Sequence, residues 1–278
     1  MLGVIDVGGG LRGIYGGAIF DYCLENDIQF DHCIGVSAGC ANIATFLAGQ
    51  HGRTYTFYKT YSKRKAYMSV YNWLFKKNYV DLDYIYSTLS NSDGENPLDY
   101  IALKENPASF EIVTTDAITG KPHYFDKTSL RFDEYDVIKA SCAIPVVCQP
   151  YVINGHPYYD GGLSDPIPLK RALKAGCEKV VVILTRPRNF YRERSKKTDF
   201  LAKFSRKYAG GMQAWADRSI IYNQQLDYAK KMEKQGSALI IAPDSIGDLK
   251  TLTKDEDMLD KLYAAGRTDA AAIIDYFQ

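Results

Sequence analysis

The sequence predicts an α/β fold: one domain with a central, mainly parallel sheet and helices on both faces, a three-layer sandwich. Two strand–turn–helix units follow each other within residues 2–48, and such units connect parallel strands of one sheet. The apolar run at 179–184 has the length and β-branched composition of a buried strand. The chain has 278 residues, 46% of them hydrophobic, which is enough for one large domain.

Both N-terminal units place their turns at the same edge of the predicted sheet. In the first unit, residues 2–25 contain a strand, a glycine-rich turn and a helix with apolar spacing. In the second unit, a strand at 32–36 ends at Ser37, and the small residues 38–48 form a buried helix. Because α/β folds bind ligands at the carboxyl ends of their parallel strands, we expect a functional site at this edge.

The rest of the chain alternates in the same way and contains no internal repeat. Further strands are predicted at 110–115, 123–125, 179–184 and 238–242, a hairpin at 151–159, and helices at 135–143, 168–175 and within 254–277. The prediction is therefore a single domain over 1–278. Its motifs fall within 4–168, and residues 185–278 form a C-terminal part with a basic segment and terminal helices.

Composition and charge limit which partners and which cellular compartment we expect for the protein. The net charge of +1 and the pI near 7.5 give no reason to expect a nucleic-acid partner. The N-terminal segment lacks the features of a secretory signal, and no apolar run is long enough to span a membrane. The six cysteines include no C-x-x-C pair, so no zinc site is expected. We expect a cytoplasmic protein, with peripheral membrane contact left open.

Residues 35–39, Gly-Val-Ser-Ala-Gly, fit the G-x-S-x-G pattern. In this pattern a sharp turn between a strand and a helix presents a serine hydroxyl above the edge of the sheet. The following helix directs its first amides and its positive end at negative charge that develops nearby. Ser37 is therefore the candidate nucleophile, and the alternative is a serine that only caps the helix.

The glycine-rich loop 8–13 supports two interpretations. Its spacing satisfies G-x-G-x-x-G, the dinucleotide-binding pattern, which would make the protein an oxidoreductase. That fold places an acidic residue at the end of the second strand, whereas here Asp31 precedes the strand. The other interpretation is an oxyanion hole, in which the amides of Gly9, Gly10 and Ala38 face the oxygen of a bound ester.

Asp160, in the tripeptide Asp160-Gly161-Gly162, is the candidate proton acceptor. A serine hydroxyl is a poor nucleophile until a base accepts its proton, and the usual base is a histidine. No histidine follows Asp160, so a conventional triad would need His123 or His156 with an earlier acid. A direct Ser–Asp dyad needs only a partly desolvated carboxylate.

Together and in this order, the motifs resemble those of the patatin-like phospholipase family. The chain is similar to that family in G-G-G-x-R-G at 8–13, G-x-S-x-G at 35–39, D-G-G at 160–162 and A-S-x-A-x-P at 140–145. The four motifs in register over 4–168 make the resemblance specific, and beyond about residue 184 it is architectural only.

The resemblance implies an enzyme that hydrolyses acyl esters of lipids without a metal or other cofactor. It implies Ser37 as nucleophile, Asp160 as base, and the amides of Gly9, Gly10 and Ala38 as the oxyanion hole. Arg12 occupies the basic position of the glycine loop, where it holds the loop or contacts a lipid phosphate. Besides the oxidoreductase, a binding module without catalytic activity is the remaining alternative.

Two basic stretches bear on how a lipid approaches. Residues 51–80 contain seven Lys or Arg, no acid and nine aromatic residues, and residues 186–207 contain nine Lys or Arg and two acids. Such segments suit adsorption to an anionic membrane, with aromatic residues at the level of the headgroups. The alternative is a solvated helical face whose aromatic residues belong to the core.

Overall fold

The computed structural model of the protein describes residues 1–204, 206–247, 252 and 255–277. Positions 205 and 254, which belong to two of the predicted segments, lie outside the described residues. The strands are β1 (Leu2–Asp6), β2 (His32–Val36), β3 (Ser109–Asp116), β4 (Pro122–Asp126), β5 (Tyr151–Ile153), β6 (His156–Asp160), β7 (Lys179–Ile183) and β8 (Ala238–Ile241).

These strands form one mostly parallel sheet, which confirms the predicted fold class. The order is β5-β6-β3-β2-β1-β7-β8, and β4 also pairs with β3. The pairs β1–β2, β2–β3, β1–β7 and β7–β8 are parallel, while the pairs that involve β4, β5 and β6 are antiparallel. The C-terminal part of the chain therefore contributes the edge strand β8 to the same sheet.

Both faces of the sheet are covered by helices. The helices are α1 (Ile14–Glu25), α2 (Ala38–Leu47), α3 (Arg53–Lys59), α4 (Val70–Lys76), α5 (Tyr100–Glu105), α6 (Asp136–Cys142), α7 (Leu169–Lys174), α8 (Lys196–Phe204), α9 (Ala209–Lys234), α10 (Glu256–Asp269) and α11 (Ala272–Phe277). Successive strand residues point to opposite faces, so Val4 packs with α1, α2 and α10, and Ile5 packs with α7 and α9. The long helix α9 was not predicted from the sequence.

The strand register brings two distant parts of the chain together. Val36, the last residue of β2, pairs with Val113 of β3, and Asp160, the last residue of β6, pairs with Thr114 of β3. Ser37 follows Val36 directly, so β3 places Ser37 and Asp160 at neighbouring positions of one sheet edge, although they are far apart in sequence.

Candidate active site

A cavity of about 290 Å³ opens at the carboxyl ends of β1 and β2. The residues predicted for the site all line it: Gly9, Gly10, Arg12, Ser37, Ala38 and Asp160. The structure thus brings together every predicted site residue, drawn from three separate motifs.

Ser37 sits in a strained turn between β2 and α2. Its φ of 55° and ψ of −133° lie in a region that non-glycine residues rarely adopt and that occurs where surrounding structure imposes it. Its amide donates to Oγ of Ser141 at 2.9 Å, and Ser141 Oγ donates to the Val113 carbonyl at 2.6 Å. Ser141 on α6 therefore ties the turn to β3, which gives the A-S-x-A-x-P motif a positioning role.

Close approach between α2 and β1 fixes the helix behind this turn. A Cβ atom at Gly39 would lie 2.2 Å from the Asp6 carbonyl oxygen, so no larger residue fits without displacing the backbone. Because the first amides of a helix have no partner within the helix, the amide of Ala38 is available for a ligand.

A backbone amide of the D-G-G motif holds the Asp160 carboxylate in the cavity that also contains Ser37. Its Oδ1 accepts a hydrogen bond from the Gly162 amide at 2.7 Å, and its backbone amide donates to the Ala143 carbonyl at 2.8 Å. Burial raises the pKa of Asp160 above its ordinary value. Arg218, the Ser37 side chain, the Gly162 amide and Arg192 oppose this rise.

The glycine loop is anchored by Asp6, which the sequence analysis did not single out. Asp6 Oδ1 accepts from the Gly8 amide at 2.8 Å, and Oδ2 accepts from Asn42 Nδ2 at 2.7 Å. Burial raises the pKa of Asp6 to about 6. Among the described residues, no acceptor pairs with the amides of Gly9, Gly10 or Ala38. Asp6 therefore holds the loop on the side away from the cavity, while the amides of Gly9, Gly10 and Ala38 remain available to a ligand in the cavity.

The histidines lie elsewhere. All four are described, and none lines the cavity. His123 packs against the Phe125 ring with centroids 4.5 Å apart, and Nε2 of His156 lies 2.9 Å from the Asp116 carboxylate. A conventional triad through either residue therefore has no support in this geometry.

Arginines surround the carboxylate side of the site. Arg12 is buried, and its Nε donates to the Thr185 carbonyl at 3.2 Å. Arg186, Arg192 and Arg218 line the same cavity. Burial and the charges of Arg186 and Arg218 lower the pKa of Arg12 to about 9. Arg186 and Arg192 belong to the basic stretch 186–207, whose composition suggests membrane contact, and no sequence motif includes Arg218.

The other side of the cavity is apolar. Cys142 lines the cavity together with Ser37, and the Cys142 sulfur lies 3.3 Å from the Tyr86 hydroxyl. Beyond them the wall is formed mainly by aromatic and aliphatic side chains, among them Phe57, Tyr67, Val80, Leu82, Ile85, Leu89 and Leu98. Ser37 thus stands between a cationic region and an apolar region of the same cavity.

Comparison with known proteins identifies relatives over part of the chain. The uncharacterized protein YjjU of Escherichia coli (strain K12) is 30% identical over 186 residues, which are 66% of this chain and 52% of that protein. An uncharacterized NTE family protein of Mycobacterium bovis is 35% identical over 69 residues, 25% of this chain and 18% of that protein. The chain thus spans about half the length of the E. coli relative.

The chain also matches a solved structure and two protein-family models. The crystal structure of VipD from Legionella pneumophila aligns with 98% of this chain and 66% of its own, with a TM-score of 0.49 and 12% identity. A domain of unknown function matches residues 208–278, and a model described as patatin-like phospholipase matches residues 7–173. The latter range holds all four motifs and more than half of the sequence. The resemblance inferred from those motifs is confirmed: this chain is a member of the patatin-like phospholipase family.

Proposed function

We propose that the protein is a serine acyl hydrolase that cleaves carboxylic ester bonds of lipids with Ser37 and Asp160 as a catalytic dyad. The observation that supports this proposal best is the position of Ser37 and the buried Asp160 carboxylate at neighbouring ends of β2 and β6, inside a cavity lined by the open amides of the glycine loop. The carboxylate is the only acidic side chain among the described residues that line this cavity. The apolar wall beyond Ser37 suits the acyl chain.

In the proposed reaction, Ser37 Oγ attacks the ester carbonyl carbon while its proton passes to the Asp160 carboxylate. The amides of Gly9, Gly10 and Ala38 donate to the oxyanion, and each such donor is typically worth about 3–4 kcal/mol in the transition state. Collapse of the intermediate breaks the ester bond, and the alcohol leaves with the proton from Asp160. Water then gives a proton to Asp160 and attacks the acyl carbon. The bond between this carbon and Ser37 Oγ breaks, the acid is released, and the proton returns from Asp160 to Ser37 Oγ.

The two alternatives from the sequence have less support. The glycine loop is packed against the Ser37 turn, since a Cβ atom at Gly8 would lie 2.8 Å from the Ala38 amide nitrogen. An oxyanion hole requires this contact, whereas a dinucleotide site requires an open loop above the first helix. A binding module without activity does not account for a strained serine beside a buried carboxylate.

The first experiment is active-site labelling. A fluorophosphonate probe is expected to label the wild type and to leave Ser37→Ala unlabelled, because only an activated serine reacts. Ser164→Ala is the matched control: its hydroxyl lies 2.7 Å from that of Thr115 and does not line the cavity, so we expect normal labelling. Labelling that persists in Ser37→Ala, or its absence from the wild type, would contradict the proposed function.

We also propose that α4 carries the peripheral contact with a membrane. Its side chains Val70, Tyr71, Trp73, Leu74 and Phe75 are each 54–71% exposed. No helix among the described residues has the length and apolarity needed to cross a bilayer. The flanking residues Tyr67 and Val80 line the cavity, so α4 projects from the cavity wall. A bilayer that covers α4 would therefore lie near the cavity that holds Ser37.

The two interpretations of residues 51–80 apply to different parts of the stretch. Tyr58, Tyr61 and Tyr67 are buried, as the core interpretation expects, whereas the aromatic residues of α4 are exposed. Most basic residues there pair with acids: Lys59 with Asp260, Lys63 with Glu256, Arg64 with Glu95 and Lys76 with Asp81. Apolar contact, rather than charge, is therefore the larger expected contribution to membrane binding.

Vesicle co-sedimentation tests this contact. The double variant Trp73→Ser and Phe75→Ser is expected to partition at least about tenfold more weakly, since burying one aromatic side chain contributes roughly 1.5–3 kcal/mol. The effect should persist at high salt because most of the basic residues are already paired. Phe132→Ser, at an aromatic residue that is 57% exposed in a turn outside α4, serves as the control. Equal partition of wild type and double variant would refute the role of α4.

A further inference from the structure

Three arginines from the C-terminal part of the chain converge on the cavity that holds Ser37. Arg186 and Arg192 lie on the loop after β7, and Arg218 lies on α9. All three are outside residues 7–173, the range matched by the patatin-like phospholipase model. They add to the buried Arg12 a second set of cationic side chains that the four motifs do not encode.

The positive charge of these side chains is not neutralised by the protein. In the described part of the chain, no carboxylate forms an ion pair with Arg186, Arg192 or Arg218. The Nε atoms of all three are buried without a hydrogen-bond partner. Asp160 is the only acid among the described cavity residues, and it interacts with Arg218 and Arg192 without a direct ion pair. The three side chains are half-buried, and half-buried cations without an ion-pair partner lose solvation without compensation, so the cluster is suited to an anionic ligand.

Two of the three guanidinium groups are held in place by packing contacts within the protein. Arg186 stacks over the Phe190 ring at 4.2 Å, and Arg192 stacks over Tyr222 at 4.6 Å. Asn223 fixes the backbone at Arg192 from both sides, accepting from its amide at 2.8 Å and donating to its carbonyl at 3.0 Å. Planar groups fixed in this way bind phosphate oxygens with little further loss of side-chain freedom.

We propose that Arg186, Arg192 and Arg218 bind a phosphomonoester group of the substrate, placed beside the ester bond that Ser37 attacks. This inference rests on the proposed function and narrows its substrate to acyl esters that carry such a group. A phosphomonoester has a charge of about −1.5 to −2 near pH 7 and three acceptor oxygens. Several arginine guanidinium groups can therefore donate hydrogen bonds to it at the same time. A carboxylate or a phosphodiester has a single negative charge and leaves more of the arginine charge unpaired.

A matched pair of substrates tests the proposal. 1-Acylglycerol 3-phosphate and 1-acylglycerol with the same acyl chain differ only in the phosphate group. The wild type is expected to prefer the phosphate ester in kcat/KM by about tenfold to a hundredfold, the range for charge-assisted hydrogen bonds. Arg192→Gln and Arg186→Gln, made separately, should each reduce this ratio about tenfold. Arg194→Gln is the control, because Arg194 pairs with Asp199 at 2.9 Å outside the cavity.

Binding to the inactive variant Ser37→Ala separates this proposal from the proposed function. If titration shows tighter binding of the phosphate ester than of the neutral ester, and Arg192→Gln removes the difference, the subsite stands even without turnover. Turnover of both esters with equal kcat/KM would overturn the subsite and leave the hydrolase intact. Inorganic phosphate is expected to compete only with the phosphate ester. If it binds at Arg192 while the two esters behave alike, the site binds free phosphate and the substrate assignment is wrong.

Discussion

Replacing Asp160 by Asn is expected to reduce ester hydrolysis by about a thousandfold or more while the protein remains folded. Positioned acid–base groups contribute roughly 10²–10⁴-fold, and no histidine lines the cavity to replace the carboxylate. The Asn side chain keeps the shape of Asp and can still accept from the Gly162 amide, which Asp160 Oδ1 does at 2.7 Å. The loss should therefore appear in kcat and not in the fold, as measured by turnover of a short-chain ester and by circular dichroism.

The same substitution is expected to change stability in a way that depends on pH. Burial raises the pKa of Asp160, so the folded state holds its proton more tightly than the unfolded chain, whose pKa is about 3.9. The stability from this protonated form is fully present below that value and is lost as pH rises through the folded pKa. Asn stays neutral, so the unfolding free energy of the variant relative to wild type should increase as pH rises from the unfolded pKa through the folded pKa of Asp160. Activity of the wild type should fall as pH drops through the folded pKa.

Asp165→Asn is the matched control for the role of Asp160. Asp165 is also buried, burial also raises its pKa, and its carboxylate accepts from Gln225 Nε2 at 2.6 Å. It does not line the cavity, so its variant should retain turnover while it too changes the pH dependence of stability. Turnover within about tenfold of wild type in Asp160→Asn would rule out the dyad and return the role of the base to a histidine.

The part of the site that motifs encode could be predicted because local geometry enforces it. The strained turn at Ser37 requires small neighbours, and the D-G-G turn ends a strand, so both leave a signature in short stretches of sequence. The sheet class followed from the repeated strand–turn–helix units at the N-terminus. The meeting of Ser37 with Asp160 depends on the register of β3, which no short motif contains. It was expected only through the family resemblance.

The positions of Arg186, Arg192 and Arg218 in the cavity, and the helix α9, could not be predicted because they depend on long-range packing. Arg186 and Arg192 belong to a segment in which most basic residues are exposed, and nothing in the local sequence distinguishes those that face the cavity. Arg218 lies on a helix whose first turn contains Gly210 and Gly211, residues that weaken an isolated helix. Gly211 fits there because a Cβ atom would lie 2.7 Å from the Tyr159 ring, a contact that only the folded chain reveals.

Gly8→Ala is expected to lower the unfolding free energy by about 2–5 kcal/mol and to remove activity from the molecules that still fold. The added Cβ would lie 2.3 Å from the Val36 carbonyl oxygen and 2.8 Å from the amide nitrogens of Ala38 and Gly39. These atoms form the backbone around the Ser37 turn, so they cannot move aside as a flexible side chain would. Relief of the collision displaces either the glycine loop or the turn, and each displacement separates the loop amides from Ser37.

The control must separate this collision from the cost of the left-handed backbone, because Gly8 has a φ of +63°. Gly52 has a φ of +73° and no atom within 4 Å of an added Cβ. Gly52→Ala should therefore cost only about 1–2 kcal/mol and leave fluorophosphonate labelling unchanged. Denaturant unfolding and labelling rates of both variants provide the comparison. Equal destabilisation with normal labelling in Gly8→Ala would mean that the loop does not lie against the serine turn, and the oxyanion hole would then need other donors.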